Sequence, residues 1–208
     1  MARRPDAAAA RPGPGRPPTG ARERVLAAGI EVLKSDGYAG LTTAKVAARS
    51  GQNKALIGYH FGSKNGLVAA AAMEVAQAIN DELVGGLAST RTVDDLVRGV
   101  LDGLWRMIER DERLARLYFD LAAASVVEPE VRAVMRDMRD GWRTTLTGLL
   151  AAADDGPPRR AAEAASVYVI AGLDGLALER LARGDTPALR RARELFVASA
   201  VAAIRGPR

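Results

Sequence analysis

Apolar positions recur every three to four residues along most of the chain, the spacing that lays one face of an α-helix against a core. Gly, Pro and Asp clusters break the pattern at a few points, not at the even intervals of a strand-rich fold. Val25, Ala28, Ile30, Val32 and Leu33 give a first helix, from about Gly20 to Ser35, an apolar side; Asp36-Gly37 stops it, and Tyr38 folds back onto the core. Two short helices are predicted within Leu41–Lys64. Leu67, Val68, Ala71, Val75, Ala78, Ile79 and Leu83 then form a stripe out to Gly85-Gly86. At ~1.5 Å per residue such a helix spans about 30 Å, enough to act as a rod between two domains. Thr92-Val93-Asp94-Asp95 caps a further helix through Leu96, Val100, Leu104 and Ile108, and Asp111 begins another with Leu114, Leu117, Tyr118 and Leu121. Pro129 fits the first turn of a long helix carrying Val131, Val134, Met138, Trp142, Leu146 and Leu149. After Asp155-Gly156-Pro157-Pro158, two last helices are predicted over about Arg159–Arg183 and Pro187–Ile204. The fold class is all-α, with about nine helices.

The stretch LTTAKVAARSGQNKALIGYHFGSK, Leu41 to Lys64, reads as helix, tight turn, helix. Thr42 or Thr43 can cap the first helix by accepting from a first-turn N–H. Val46 and Ala47 form its small apolar face, and Gly51 ends it because a left-handed backbone costs Gly little. Asn53 caps the second helix, about Lys54–His60. So short a helix depends on its neighbours, because helix nucleation is unfavourable. Ile57 and Phe61, at i and i+4, supply its buried edge, leaving Lys54, Ala55, Leu56, Gly58, Tyr59 and His60 facing outward. This is a helix-turn-helix. Over Val25–Leu67 the chain resembles the TetR family of transcriptional regulators: VLAAGIEVLKSDGY, LTTAKVAARSG and YHFGSKNGL stand in order and at the family's spacing. Arg22-Glu23-Arg24 fits the family's start to helix 1, although Ala21 stands where Thr is common. The resemblance implies a three-helix DNA-binding domain over 19–67 and a larger helical ligand-binding and dimerisation domain over 68–208.

Charge adds to this picture. Residues 1–67 hold eleven Lys and Arg against four Asp and Glu, residues 68–208 hold nineteen against twenty-one, and all four lysines lie in the first part. A basic end on a near-neutral body suits a polyanion. Residues 1–18, MARRPDAAAARPGPGRPP, are expected to form a disordered basic tail. Its Arg3, Arg4, Arg11 and Arg16 either reach DNA, as arms on other helix-turn-helix proteins do, or have no defined role. The chain has no cysteine and one histidine, His60, so no thiolate site exists and a metal at His60 lacks further ligands. No nucleophile–base pair, phosphate loop or metal spacing is present, so neither an enzyme nor a cofactor is expected. No apolar run approaches the ~20 residues of a membrane span and no secretory signal is visible, so a soluble cytoplasmic protein is expected.

By position, the resemblance implies that Thr43, Lys54, Tyr59, His60 and Lys64 touch DNA, mostly at phosphates, which set register. Lys45, Gln52, Asn53, Lys54, Ala55 and Leu56 are the base-reading candidates: Lys donates to guanine, Gln or Asn pairs with adenine, and Ala or Leu touches a thymine methyl. Gly58 stands where many members have Tyr, and Gln52 where the turn is usually apolar. The last two helices are apolar over a wide arc, with Ala171, Gly172 and Gly175 permitting close approach. They form either intrachain core or the four-helix bundle of a homodimer. The resemblance implies the dimer, and a two-fold protein reads a palindromic double-stranded DNA operator.

In the second domain Trp105, Tyr118, Met138, Trp142 and Tyr168 are the candidate ligand-binding residues, with Met107, Phe119 and Met135 of similar character. Such groups line an adaptable apolar cavity or form ordinary core. Asp102, Thr145 and Asp174 are polar groups in apolar stretches that can orient a ligand. The expected function is a repressor released from its operator by a small apolar effector as the fourth helix swings. The alternative is a DNA-binding regulator without a small ligand, controlled by a protein partner or constitutive. A cavity in the second domain supports the first, a filled core the second.

Overall fold

The computed structural model describes residues 20–206 apart from 86, 88 and 89, so the expected tail over 1–18 lies outside the described residues. Among the described residues there are nine helices and no strand: α1 (Ala21–Gly40), α2 (Thr43–Ser50), α3 (Ala55–Phe61), α4 (Lys64–Gly85), α5 (Val93–Arg110), α6 (Glu112–Ala124), α7 (Pro129–Ala152), α8 (Arg159–Arg183) and α9 (Pro187–Arg205).

Local chemistry sets most boundaries. The side chains of Thr42, Thr92, Asp111 and Thr186 accept from the backbone N–H groups of Lys45, Asp95, Arg113 and Leu189 at 3.1–3.2 Å. Each satisfies a first-turn donor that the helix leaves unpaired, a contribution of ~1 kcal/mol. Pro129 and Pro187 open α7 and α9, where the missing N–H costs nothing. The predicted stop after the first helix is a kink: Gly37 has φ 72° and ψ 179°, and one more turn follows to Gly40. That backbone region is essentially restricted to Gly.

Two apolar cores are stacked along the molecule. One joins α1–α4 to α6 and α7 through Val25, Leu33, Val46, Ile57, Leu67, Val68, Leu121 and Met138. The other lies among α5, α7, α8 and α9, around Val97, Leu150, Val169, Val197 and Ala200. α4 packs on α1 and α3 at one end and on α5 and α7 further along, as a rod between the two regions must.

One expectation is corrected. α8 is long and apolar enough to meet the length and composition of a membrane span, with mean hydropathy 1.4 over its most apolar stretch. It packs on α7 and α9, and Asp174 in that helix pairs with Arg139 of α7 at 2.7 Å. A helix apolar on all sides needs partners on more than one side; on α8 the side facing neither neighbour leaves Val167, Tyr168 and Leu178 exposed.

Candidate nucleic-acid interface and apolar cavity

α2 and α3 are joined by Gly51 in the left-handed region, φ 64°, as the turn requires. Asn53 Oδ1 accepts from the Ala55 N–H at 2.9 Å and starts α3. Ile57 is 2% exposed and anchors α3, while Phe61 is half-buried with the Arg22 guanidinium 5.3 Å above its ring. The opposite face is open: Lys54 and Ala55 are exposed, and Tyr59 is 70% exposed. Thr43, Lys54, Ala55 and Lys64 share one open depression of about 440 Å³ with Gly58 and Ser63. Candidates from three different helices are thus brought together on one surface.

Other candidates are engaged. Lys45 Nζ lies 2.6 Å from Asp36 Oδ2 and 3.0 Å from the Gly40 carbonyl, bracing the α1–α2 corner. That hydrogen bond holds the Asp36 carboxyl below its ordinary range. The Gln52 amide turns back to the Gly51 carbonyl at 3.3 Å, and Asn53 is occupied by its cap. His60 packs edge-on, 4.9 Å from Tyr59 and 6.3 Å from Phe61, with Nε2 buried and no partner among the described residues. Leu56 is half-buried on α3. Of the candidates on α3 and at its start, Lys54, Ala55 and Tyr59 are exposed and Leu56 half-buried, with no side-chain hydrogen bond among the described residues.

The reader is tied to the rest of the molecule at Tyr38. Its backbone N–H donates to the Asp120 carboxylate of α6. Its hydroxyl donates to Asn65 Oδ1 at 3.3 Å, and Lys64 Nζ lies 4.9 Å above its ring. Burial, and then the Glu128 carboxylate, push the phenol above its ordinary range. A second tie joins Lys34 Nζ to Asp111 Oδ2 at 3.3 Å. Hydrogen bonding from Arg113, and then from Lys34, holds Asp111 below the usual carboxylate range despite the opposing effect of burial. Neither tie was legible in the sequence, because the partners are 77 and 82 residues apart.

α4 to α8 enclose an apolar cavity of about 90 Å³. Ile79, Asn80 and Leu83 of α4, Leu104 and Met107 of α5, Tyr118 and Phe119 of α6, Trp142 and Thr145 of α7, and Asp174 of α8 contribute to its wall. Two of the five sequence candidates, Tyr118 and Trp142, line it. The other three do not. Trp105 is buried on the other side of α5 with the Arg193 guanidinium 4.3 Å over its ring, and Met138 belongs to the core shared with α1–α4. Tyr168 is 45% exposed, its hydroxyl 3.3 Å from Ser199. Asp174 and Thr145, singled out as polar groups in apolar stretches, do line the cavity, whereas Asp102 pairs with Arg193 at 3.4 Å on the surface. Tyr118 is raised well above an ordinary phenol by burial and then by the Asp174 charge.

This arrangement of a three-helix reader and a helical domain with a cavity has known counterparts. The model of bacterial regulatory proteins of the tetR family matches residues 25–71, and that of the BetI-type transcriptional repressor C-terminal domain matches residues 95–205. The chain belongs to the TetR family. Its C-terminal domain is of the BetI type. The HTH-type regulator BetI 1 of Chromohalobacter salexigens is 24% identical over 125 residues, 58% of this chain and 60% of that protein. BetI of Stenotrophomonas maltophilia is 24% identical over 116 residues. This TetR-family chain thus spans about 60% of the length of these two curated relatives. BetI of Escherichia coli is 22% identical over 165 residues, 78% of the chain and 83% of that protein. Among solved structures, a transcriptional regulator from Rhodococcus sp. Rha1 superposes with a TM-score of 0.73 at 22% identity, covering 90% of this chain and 99% of that one. The multidrug binding protein EbrR, complexed with imidazole, gives 0.69 at 25% identity, covering 90% and 96%. A regulator from Saccharomonospora viridis in complex with choline gives 0.68 at 20%, covering 86% and 94%.

Proposed function

We propose that this TetR-family protein is a homodimeric repressor that holds a palindromic operator and releases it when a small apolar molecule fills the cavity. The observation that carries the reading is where the cavity lies. Its wall includes Ile79, Asn80 and Leu83 of α4, which starts beside the reader, and Tyr118 and Phe119 of α6, next to the Asp120 that holds Tyr38. A ligand that pushes on either helix changes the seat of the helix-turn-helix. It shifts the balance only by binding one state better than the other, and a swing of α4 changes the cavity wall. The cavity itself favours a ligand-controlled regulator over one set only by a protein partner. The structures of EbrR with imidazole and of the Saccharomonospora viridis regulator with choline support a small-molecule ligand for this chain.

The dimer is supported by the surface left on the last two helices. Val167, Tyr168, Ala171, Gly175 and Leu178 of α8 and Leu195 and Ala198 of α9 are exposed, at helical spacing. Burying such a strip against its own two-fold copy removes an apolar face from water. It also sets two reading helices on one side of the DNA, about 34–36 Å apart for successive major grooves. Thr43, Lys54, Tyr59 and Lys64 then hold phosphates, and Lys54, Ala55 and Leu56 face base edges. No cofactor or metal enters the reading, and the site of action is cytoplasmic DNA.

Selection of bound DNA from a random duplex pool near physiological salt tests it, since nonspecific binding weakens steeply with salt. An enriched palindrome is expected, followed by its release in a screen of small apolar compounds. Enrichment of no sequence, or of a single unrepeated half-site, counts against the reading. A ligand that releases DNA with α4 unmoved removes the mechanism.

A further inference from the structure

Side-chain amines on this chain are confined to α1, α2 and the starts of α3 and α4. The sequence has twenty-six arginines and four lysines, so any acyl transfer to a side-chain amine falls on Lys34, Lys45, Lys54 or Lys64. Three of the four nitrogens are engaged. Lys34 Nζ lies 3.3 Å from Asp111 Oδ2, with its side chain 16% exposed. Lys45 Nζ is 2.6 Å from Asp36 Oδ2 and 3.0 Å from the Gly40 carbonyl oxygen. Lys64 is half-buried, with Nζ 4.9 Å over the Tyr38 ring. Lys54 differs: it is exposed just before α3, and no hydrogen bond, ion pair or ring contact holds its ammonium among the described residues. Its surroundings suit one kind of acyl donor. Lys54 shares the open depression of about 440 Å³ with Lys64 and with the hydroxyls of Thr43 and Ser63. Two ammonium groups and two hydroxyls attract a small dianion, and no carboxylate is among the described residues lining that depression. An acyl phosphate is such a dianion and carries its own leaving group.

We propose that Lys54 is an acylation site, and that an acyl phosphate switches off DNA binding there. The Lys54 ammonium first gives a proton to water, and its nitrogen then attacks the carbonyl carbon. A C–N bond forms, the bond from that carbon to the phosphate oxygen breaks, and inorganic phosphate leaves with a second proton from the nitrogen. A neutral amide replaces the ammonium. One positive charge facing the DNA backbone is lost, while the exposed side chain takes no part in the core. The switch rests on the DNA-contact reading of Lys54 above, and it acts without the cavity.

Acetyl phosphate is the probe. The full chain is treated with it, alone and bound to the operator recovered by the DNA selection, and each lysine is followed by peptide mass spectrometry. Lys54 is expected to be acetylated at least about threefold faster than each of the other three lysines, the margin an ion pair or ring contact gives. Bound operator is expected to shield it. Operator affinity, measured by anisotropy, is expected to fall at least about tenfold as Lys54 is consumed, with circular dichroism unchanged. Lys54→Arg keeps a cation and has no amine at that position, so the same treatment is expected to move its own affinity less than about threefold. Faster acetylation of another lysine overturns the site. An equal fall in affinity for treated Lys54→Arg overturns the switch. Undiminished affinity once Lys54 is acetylated overturns the switch and its phosphate contact, and leaves sequence-specific binding standing. An untreated chain that enriches no operator overturns the DNA reading and the switch with it, whatever the mapping shows.

Discussion

The backbone N–H of Tyr38 donates to the side chain of Asp120, so the turn that seats α2 and α3 is held by a carboxylate from α6. Tyr38 is also beside Lys64 and Asn65 at the start of α4. A movement of α6 and a movement of α4 therefore meet at one residue. Replacing Asp120 with Ala leaves the N–H without its acceptor, a loss of about 1–3 kcal/mol when such a donor stays buried and less where water reaches it. Asp120→Ala is expected to bind effector with near-native affinity but release operator less completely, measured by DNA-binding anisotropy with and without ligand. Native release in this variant would show that the joint carries no signal.

Gly37 sits at φ 72° and ψ 179°, with the Asp120 carboxylate against the place a Cβ would occupy. Gly37→Ala is expected to destabilise the chain by about 1–3 kcal/mol, because this backbone region is nearly closed to other residues. For a chain of this size that lowers the Tm by roughly 2–4 °C per kcal/mol. A melting curve that coincides with the native one contradicts the local strain argument.

On α3 the two faces separate binding from folding. Tyr59→Ala and Lys54→Ala are expected to weaken operator binding with the melting temperature unchanged, since both side chains are exposed. Loss of the Lys54 charge should also reduce the slope of log affinity against log salt by about 1, the signature of one phosphate contact. Ile57→Ala is expected to cost about 2–5 kcal/mol of stability, as for a buried aliphatic side chain cut to a methyl group.

Leu178 and Leu195 are 54% and 70% exposed on α8 and α9. Leu178→Arg with Leu195→Asp places charges on the strip assigned to the partner subunit. Light scattering is expected to show a monomer in place of a dimer, with native helicity by circular dichroism and lost operator binding. A doubly substituted dimer places the interface elsewhere.

Acid acts at the far end of the molecule. The Val93 backbone N–H donates to Asp155 at 2.8 Å and Arg205 Nε at 2.7 Å, the first being the larger influence, and Asp155 is held below the usual carboxylate range. A carboxylate whose folded value is depressed stabilises the fold at neutral pH, above its unfolded value. That stabilisation is lost as pH falls from about 4 through the lower folded value. Asp155→Asn is expected to flatten the acid limb of stability against pH, followed by urea denaturation between about pH 2 and 7. An unchanged limb assigns the acid sensitivity to other carboxylates.

The helix ends show what was readable in the chain. Thr92, Asp111 and Thr186 cap through atoms two or three residues away, and Pro129 and Pro187 act through their own rings, so a local pattern suffices. Candidate ligand residues fared differently. Trp105 lies on the same helix as Leu104 and Met107, yet only the latter two reach the cavity, because Trp105 turns toward Arg193 of α9. Helical spacing says which residues share a face, but not which neighbour that face meets. Lys45 and Gln52 had the right chemistry for base edges, but their local hydrogen bonds turn them elsewhere.

What the sequence determined by itself was the set of nine helices among the described residues, the helix-turn-helix from Leu41 to Lys64, and the apolar excess on α8 and α9. All three depend on residues within a turn or two of each other, where spacing, caps and glycine conformations act. Only the tertiary structure decided the Tyr38–Asp120 joint, the cavity between α4 and α8, and the pairing of Arg139 with Asp174. These contacts join residues 35 to 82 positions apart, and which side chains meet across such distances is settled by how whole helices pack.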